Sequence, residues 1–398
     1  MINEIISNAN LYKLNLKNDE KEVSLKNVFV SVNIFEDIFS NFKTGKLILE
    51  DTNNIIETFP IVGGEEITIF FNTNNDFNKN NIQTYYIYKI EKDLNVQSKI
   101  KDASLVVIYF ASKEFILNEQ FKFSKKFNDT PNNIIQKIFT DIFKSKKNIN
   151  FESNIEKIEF ISNFWKPSEI FNYLTKYSKN KYHDFLFFEN INGFNFTSLS
   201  ELMSKKPTHE LFFKDTNESL YKYNIIKSKT ISKYFNDLEL LKLGSFGNTY
   251  YQILDNIYGF NVFNNDFISA TEKGTFLGKN VQNRKELSNY NNINITYKNS
   301  GEHLSYRSLL LKALSKYHMI VKLNGDSTKT VGQVFNLDIR RQIKDDNDIN
   351  TLLYGNWFVT NINHIIYRTG YFEQNVKLIK NSFFNFKEFE KIKGRKNI

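Results

Sequence analysis

The side chains able to carry chemistry are few and scattered. Five histidines, His183, His209, His303, His318 and His364, stand far apart in the chain, and no two have the spacing of an H-E-x-x-H helix or another ligand pair. His364 falls inside an alternating stretch, where a hydrogen-bonded structural histidine is expected rather than a ligand. Asp345, Asp346 and Asp348 form a carboxylate cluster, but the loop lacks the glycine and closing glutamate of an EF-hand, so a solvated turn is expected. Gly274-Thr275-Phe276-Leu277-Gly278-Lys279 has the glycines and lysine of a phosphate loop. Only three residues separate its glycines, however, and Asn280 replaces the magnesium-binding hydroxyl. No G-x-S-x-G elbow occurs. The chain has no cysteine, which excludes disulfides, thiolate metal sites and cysteine nucleophiles. No catalytic, cofactor-binding or metal-binding residue is assigned, and the expectation is a protein that is not an enzyme.

Charge adds little chemistry. The formal net charge of +9 would suit an acidic partner such as nucleic acid. Yet the only arginines are Arg284, Arg307, Arg340, Arg341, Arg368 and Arg395, and arginine supplies the fork that reads phosphate and guanine. A lysine-rich ordinary surface is the better reading. The basic end, Lys391, Lys393, Arg395 and Lys396, is read as a solvated terminus. The start, MINEIISNANLYK, has no signal-peptide pattern. The longest apolar run, Leu105 to Ala111, falls far below the roughly 20 residues a membrane helix needs, so no membrane span is expected.

Alternation carries the structural signal. Val28, Val30, Val32 and Ile34 share one strand face. Asn33 to Phe42 is expected to interrupt as a helical turn, before a short strand at Leu47 to Glu50. Asn53 to Glu57 is read as a turn, and Ile67, Ile69 and Phe71 resume the alternation. Asn72 to Asn81 reads as a polar loop, and strands are expected at Gln83 to Lys92 and Ala103 to Phe110. Next comes a mixed segment. Thr130 can cap a helix with Pro131 at its first position, and a second helix starts near Pro167. Asn190-Ile191-Asn192-Gly193 turns a hairpin between Phe185–Phe188 and Phe194–Phe196. Phe185, Phe187 and Phe194 are expected in a core. Further on, strands are expected at Tyr221 to Lys227, Tyr250 to Leu254 and Gly259 to Phe263, with a helix at Ser232 to Leu241 and a polar loop or arm from Thr271 to Gly301. A helix at Tyr306 to Tyr317 then precedes strands at Met319 to Leu323, Gln333 to Asp338, Trp357 to Tyr367 and Tyr371 to Ile379.

Three stretches, in order, resemble the baseplate hub protein of contractile-tailed bacteriophages, a family that includes the base of type VI secretion spikes. The first is Ile34-Phe35-Glu36-Asp37-Ile38-Phe39, Thr44-Gly45, Asp51-Thr52-Asn53-Asn54-Ile55-Ile56-Glu57 and Pro60-Ile61-Val62-Gly63-Gly64-Glu65. The second is Trp165 to Leu174 with Asp184 to Leu202. The third runs from Val321 to Asp338, with a G-D-x-x-x-x-V-G-x-V pattern, and continues through Tyr354-Gly355-Asn356-Trp357-Phe358-Val359 to Tyr371, with a G-x-W-x-V-T-x-I-x-H pattern. The resemblance is patchy between Tyr234 and Gly301.

The resemblance implies an α+β, mainly β fold: two tail-tube-like antiparallel β-barrels, a small α+β domain between them, and an inserted loop or arm. The division would be 1–117 for the first barrel, 118–206 for the small domain, 207–382 for the second barrel with an insertion around 230–305, and 383–398 for a basic tail. It further implies a homotrimeric ring in the virion tail, assembled in the host cytoplasm. The ring would adapt a sixfold tail tube to a threefold central spike beside baseplate wedge proteins, with DNA passing through its lumen. No catalytic residue or cofactor comes with it. The competing readings are a tail-associated cell-wall hydrolase, a tube terminator, or a carbohydrate-binding receptor binder.

Overall fold

The computed structural model describes residues 9–18, 21–51, 58–73, 82–93, 104–212, 224–233, 237–242, 244, 247–253, 260–266, 274–277, 293–296, 301–314, 316–339 and 353–382. The expectations at Asn53 to Glu57, at Asp345, Asp346 and Asp348, and in the basic tail lie outside these residues. The fold is mainly β: strands hold 53% of the described chain and helices 20%, so sheets dictate the packing.

The first part is a run of seven strands: β1 (Ala9–Lys17), β2 (Glu22–Ser24), β3 (Phe29–Asp37), β4 (Thr44–Asp51), β5 (Glu66–Thr73), β6 (Ile82–Asp93) and β7 (Ser104–Ala111). Strict alternation makes these strands. In β4 and β5 every second residue is buried, and Leu47, Leu49, Ile67, Ile69 and Phe71 meet Ile108 and Phe110 in one core. The helical turn expected from Asn33 is not there. β3 continues to Asp37 because both of its edges are paired, and the chain turns only at Ile38 and Phe39, where Asp37 Oδ1 accepts the Phe39 N–H at 2.8 Å.

The middle part comprises α1 (Lys113–Gln120), β8 (Phe123–Asp129), α2 (Pro131–Ile138) with a π-turn at Phe139–Phe143, β9 (Ile149–Phe151), β10 (Ile158–Trp165), α3 (Pro167–Tyr177), β11 (Phe185–Asn190), β12 (Gly193–Ser198) and α4 (Leu199–Ser204). Thr130 caps α2 by accepting the Asn133 N–H, and Pro167 opens α3. β11 and β12 form the expected hairpin, with β9 added in parallel. Phe185, Phe187 and Phe194 lie in a phenylalanine-rich core with Phe139, Phe143 and Phe171. The ribbon of β8 and β10 was not legible in the sequence.

The last part holds β13 (His209–Phe212), β14 (Ile226–Lys233), α5 (Asp237–Lys242), β15 (Gly247–Ile253), β16 (Phe260–Asp266), β17 (Ile293–Thr296), α6 (Gly301–Ala313), β18 (Tyr317–Asn324), β19 (Val334–Asp338), β20 (Gly355–Tyr367) and β21 (Phe372–Lys380). Within the expected arm, β17 pairs with β15. The helix expected at Tyr306 to Tyr317 is α6, which spans Gly301–Ala313 and packs on β15 and β16, while Tyr317 already opens β18. Of the strand expected at Tyr221 to Lys227, Ile226 and Lys227 open β14; of the helix expected at Ser232 to Leu241, Ser232 and Lys233 end β14 and Asp237 to Leu241 are helical, in α5.

One 13-stranded sheet unites the two ends of the chain, in the order β14-β18-β21-β20-β3-β4-β7-β6-β5-β1-β2, with β19 on β20 and β13 on β19. The long β20 makes this possible. Its first residues pair with β19, and beyond Thr360 the same edge pairs with β3, from Asn361↔Asp37 to Tyr367↔Ser31. Among the described residues the pairing ladder closes neither half into a continuous ring. Phe212 and Ile225, just before β14, make a single bridge within the last part, and the Ala9 N–H reaches the Gly370 carbonyl at 2.9 Å, tying β1 to the turn between β20 and β21. The sheet carries two cores. One surrounds Trp357, Phe335 and Val376. The other is the β1–β7 core, which Ile366 and Phe372 enter from the far end of the chain.

Candidate functional site: a polar seam between the two halves of the sheet

The β3–β20 register sets Ile34 opposite His364 and Glu36 opposite Ile362. Glu36 and His364 are therefore diagonal neighbours on the inward face, each 1% exposed. Their facing atoms, Glu36 Oε1 and His364 Nε2, stand 3.7 Å apart. On β21, Gln374 lies opposite His364 and donates its amide Nε2 to His364 Nδ1 at 2.9 Å. That nitrogen must therefore accept, and the ring proton sits on Nε2, facing Glu36. Glu36 Oε2 accepts Thr330 Oγ1 at 2.6 Å and the Val331 N–H at 3.2 Å.

The loop after β18 completes the seam. Gln374 exchanges two bonds with the Asp326 backbone. Asp326 Oδ2 accepts Lys329 Nζ at 3.0 Å, and Oδ1 accepts the Thr328 N–H and hydroxyl. His209 of β13 reaches Thr328 Oγ1 through Nε2 at 3.1 Å. Thr73 at the end of β5 meets the Ser327 hydroxyl at 2.9 Å. Burial pushes the Asp326 carboxyl up, but the Lys329 charge and the Thr328 bonds outweigh it and hold the group below its ordinary value. Burial likewise opposes ionisation of Glu36, and His364, Lys43 and Thr330 together overcome it. Burial and the Lys329 charge, against Asp326, bring His209 down to about 4.

Glu36, His364, Gln374, Asp326 and Lys329 are buried, with His209 and Thr328 half-buried at the rim, and the chemistry they supply is cohesion. The residues also explain the sequence patterns. Glu36 belongs to the first resembling stretch, Asp326 and Thr330 to the G-D pattern, and His364 to the W-x-V-T pattern. A Cβ at Gly325 would collide with the Phe372 ring, and one at Gly45 with the Phe110 ring and the Asn33 carbonyl. Glycine lets the backbone approach at both places. Glu65 folds back to accept the Val62 and Gly63 N–H groups, which shapes the Pro60 to Glu65 turn.

Two further joints hold the middle part. In one, Lys147 Nζ bridges Glu114 at 2.7 Å and Glu189 at 2.8 Å, while Glu189 Oε2 accepts the Lys43 N–H at 2.9 Å. In the other, two histidines distant in sequence meet: His183 Nδ1 lies 2.7 Å from His303 Nδ1. His303 Nε2 donates to the Lys176 carbonyl at 2.9 Å, so His303 Nδ1 accepts and His183 Nδ1 donates. Beside them Arg307 donates to the Phe185 carbonyl at 2.9 Å. Spacing in the chain gave no sign of this pair, because α6 and the turn before β11 are brought together only by the fold. His318 Nε2 meets the Leu314 carbonyl.

In the glycine stretch at 274–279, the described residues 274–277 are engaged by the chain itself. The Thr275 N–H goes to Ser200 Oγ and the Leu277 N–H to Asn381 Oδ1, each at 3.1 Å. Among the described residues no group of three or more His, Asp or Glu could hold a metal ion, and no helix is long and apolar enough to cross a membrane. An open cleft of about 410 Å³ beside the seam is lined by Phe29, Val30, Glu50, Tyr367, Arg368 and Tyr371 among others.

No protein-family model and no curated protein matches the sequence. Solved structures do match over nearly the whole chain. A tail protein from Neisseria meningitidis is similar at 11% identity, over 93% of this chain and 96% of that one, with a TM-score of 0.55. A 43 kDa tail protein of prophage MuSo2 from Shewanella oneidensis is similar at 10% identity, over 93% and 98%, with a TM-score of 0.56. A chain of the Francisella PdpA–VgrG complex is similar at 10% identity with a TM-score of 0.51, over 96% of this chain and 60% of that one. At such identities the likeness is one of fold. It is the fold of phage tail proteins and of a chain in the PdpA–VgrG complex, in agreement with the resemblance carried by the sequence patterns.

Proposed function

We propose that this chain is a structural subunit of a contractile-tail baseplate: a homotrimeric hub ring joining the sixfold tail tube to the threefold spike. Each subunit contributes two tube-like β modules, the regions 1–117 and 207–382, so three subunits present six modules around a channel that passes DNA. The region 118–206 forms a small α+β domain between them. Its partners are the central spike, the tube and the wedge proteins, and its place is the virion tail.

One observation carries the reading. The β3–β20 pairing joins the two ends of the chain in a single sheet, and a ring of paired modules requires such a joint. The single bridge at Phe212–Ile225 supports a rolled form for the second module. A largely buried polar seam supports a structural joint rather than an active site. Fold alone does not assign function, so the test is assembly. Sedimentation of the purified chain with its spike should give a complex containing three copies of the 47.0 kDa subunit. A monomer with the spike present contradicts the reading, and so does clearing of bacterial cell walls in a zymogram.

A further inference from the structure

The β8–β10 ribbon stands apart from the rest of the sheet structure. It has only two strands, and among the described residues no backbone group outside the ribbon bonds to either strand. Both outer edges therefore offer free N–H and C=O groups, a template for another strand. One face is anchored: Phe160 stacks on Phe127 at 4.9 Å and meets Tyr173 of α3 at 4.4 Å. On the open side, Ile161 is 66% exposed and Phe164 70%.

The exposure of Phe164 is built in. The register slips between Ser162 and Trp165, and a bulge of this kind re-aims a side chain. Ser162 is fully buried, accepting the Lys125 N–H at 3.0 Å and donating to the Phe123 carbonyl at 3.1 Å. This clamp holds Phe164 at φ 53, a left-handed conformation that is costly for a bulky aromatic residue. Beside it an open cleft of about 460 Å³ is lined by Lys126, Glu159, Phe160, Ile161, Trp165 and Tyr173, room enough for a large apolar side chain. Lys122, Lys125 and Lys157 are exposed around the ribbon, while Glu159 is engaged by Lys126 at 2.6 Å. The rim is thus positive.

We propose that the β10 edge is a docking strand for an extended, acidic segment of a partner protein. That segment adds as a third strand, seats an apolar side chain in the cleft against Trp165 and Ile161, and sets a carboxylate toward Lys157, the exposed lysine that leads into β10. Main-chain bonds supply affinity in this mode, and the side-chain cleft supplies selectivity.

The test is titration of the full chain with a labelled peptide of about twelve residues that alternates glutamate with leucine, valine and phenylalanine. A matched peptide carries lysine for glutamate, and a single-stranded oligothymidine serves as the third probe. The glutamate peptide should bind about tenfold or more tighter than the lysine peptide. The variant Lys157→Glu should lose about tenfold affinity for it, as should Ile161→Asp. Both changes lie at exposed positions and leave the fold intact. Amide exchange on binding should slow along Ile158–Trp165. Equal binding of the two peptides, undiminished binding by the variants, protection elsewhere in the chain, or no binding up to about 1 mM overturns the proposal. So does preferential binding of the oligothymidine lost in the lysine variant, which would make the ribbon a nucleic-acid surface.

Discussion

Glu36 shows how much one buried carboxylate does here. It is 1% exposed and bonds to Thr330 and Val331 across nearly 300 residues of sequence. Glu36→Ala should therefore cost about 2–4 kcal/mol in urea unfolding, whereas Glu159→Ala, at an exposed ion pair, should leave the curve unchanged. The histidines predict an acid weakness. Burial, with the Lys329 charge, holds His209 at about 4. Burial, against the Lys176 carbonyl and aided by His183, holds His303 at about 3. Unfolded, both titrate near 6.5. As pH drops below that value the unfolded chain takes up protons that the folded chain refuses, so stability falls, for His209 down to about pH 4 and for His303 down to about pH 3. Above pH 6.5 neither contributes a slope. His303→Asn should flatten the stability profile between pH 6.5 and 3. An unchanged slope would refute the neutral pairing of His183 and His303.

At the scale of elements, β20 is the hinge of the architecture, since one edge serves β19 and then β3. Phe372, on the partner strand β21, packs its ring against Phe71 at 5.6 Å, inside the core of the first seven strands. Phe372→Ala should cost about 3–5 kcal/mol and lower the thermal midpoints of both halves together. A change confined to one half would mean that the seam does not couple them. Much of this was legible in sequence: the alternation of β4, β5, β20 and β21, the Thr130–Pro131 helix start, and the Asn190–Gly193 hairpin all express local rules. Three features were not. β3 runs past Asn33 because a strand more than 300 residues away pairs with it, and local pattern carries no trace of such a partner. The β8–β10 ribbon reads as polar because its open side is solvated and lysine-bearing. The seam itself was present in the sequence only as motif letters. Glu36, Asp326 and His364 stood within the quoted patterns, yet nothing in their spacing told that they meet.

For the whole molecule, the sheet that runs from β14 to β2 joins the two ends of the chain in one unit. In the proposed ring the two ends of each chain would arrive already joined, and only the contacts between chains would remain to be formed. Closed rings also remove the edge-strand liability that a sheet this long would otherwise carry. The most direct test is a low-resolution electron-microscopy average of the purified chain, alone or with its spike. The account predicts a threefold ring with six peripheral lobes around an open channel. A globular monomer, or a symmetric particle without a central opening, would contradict it.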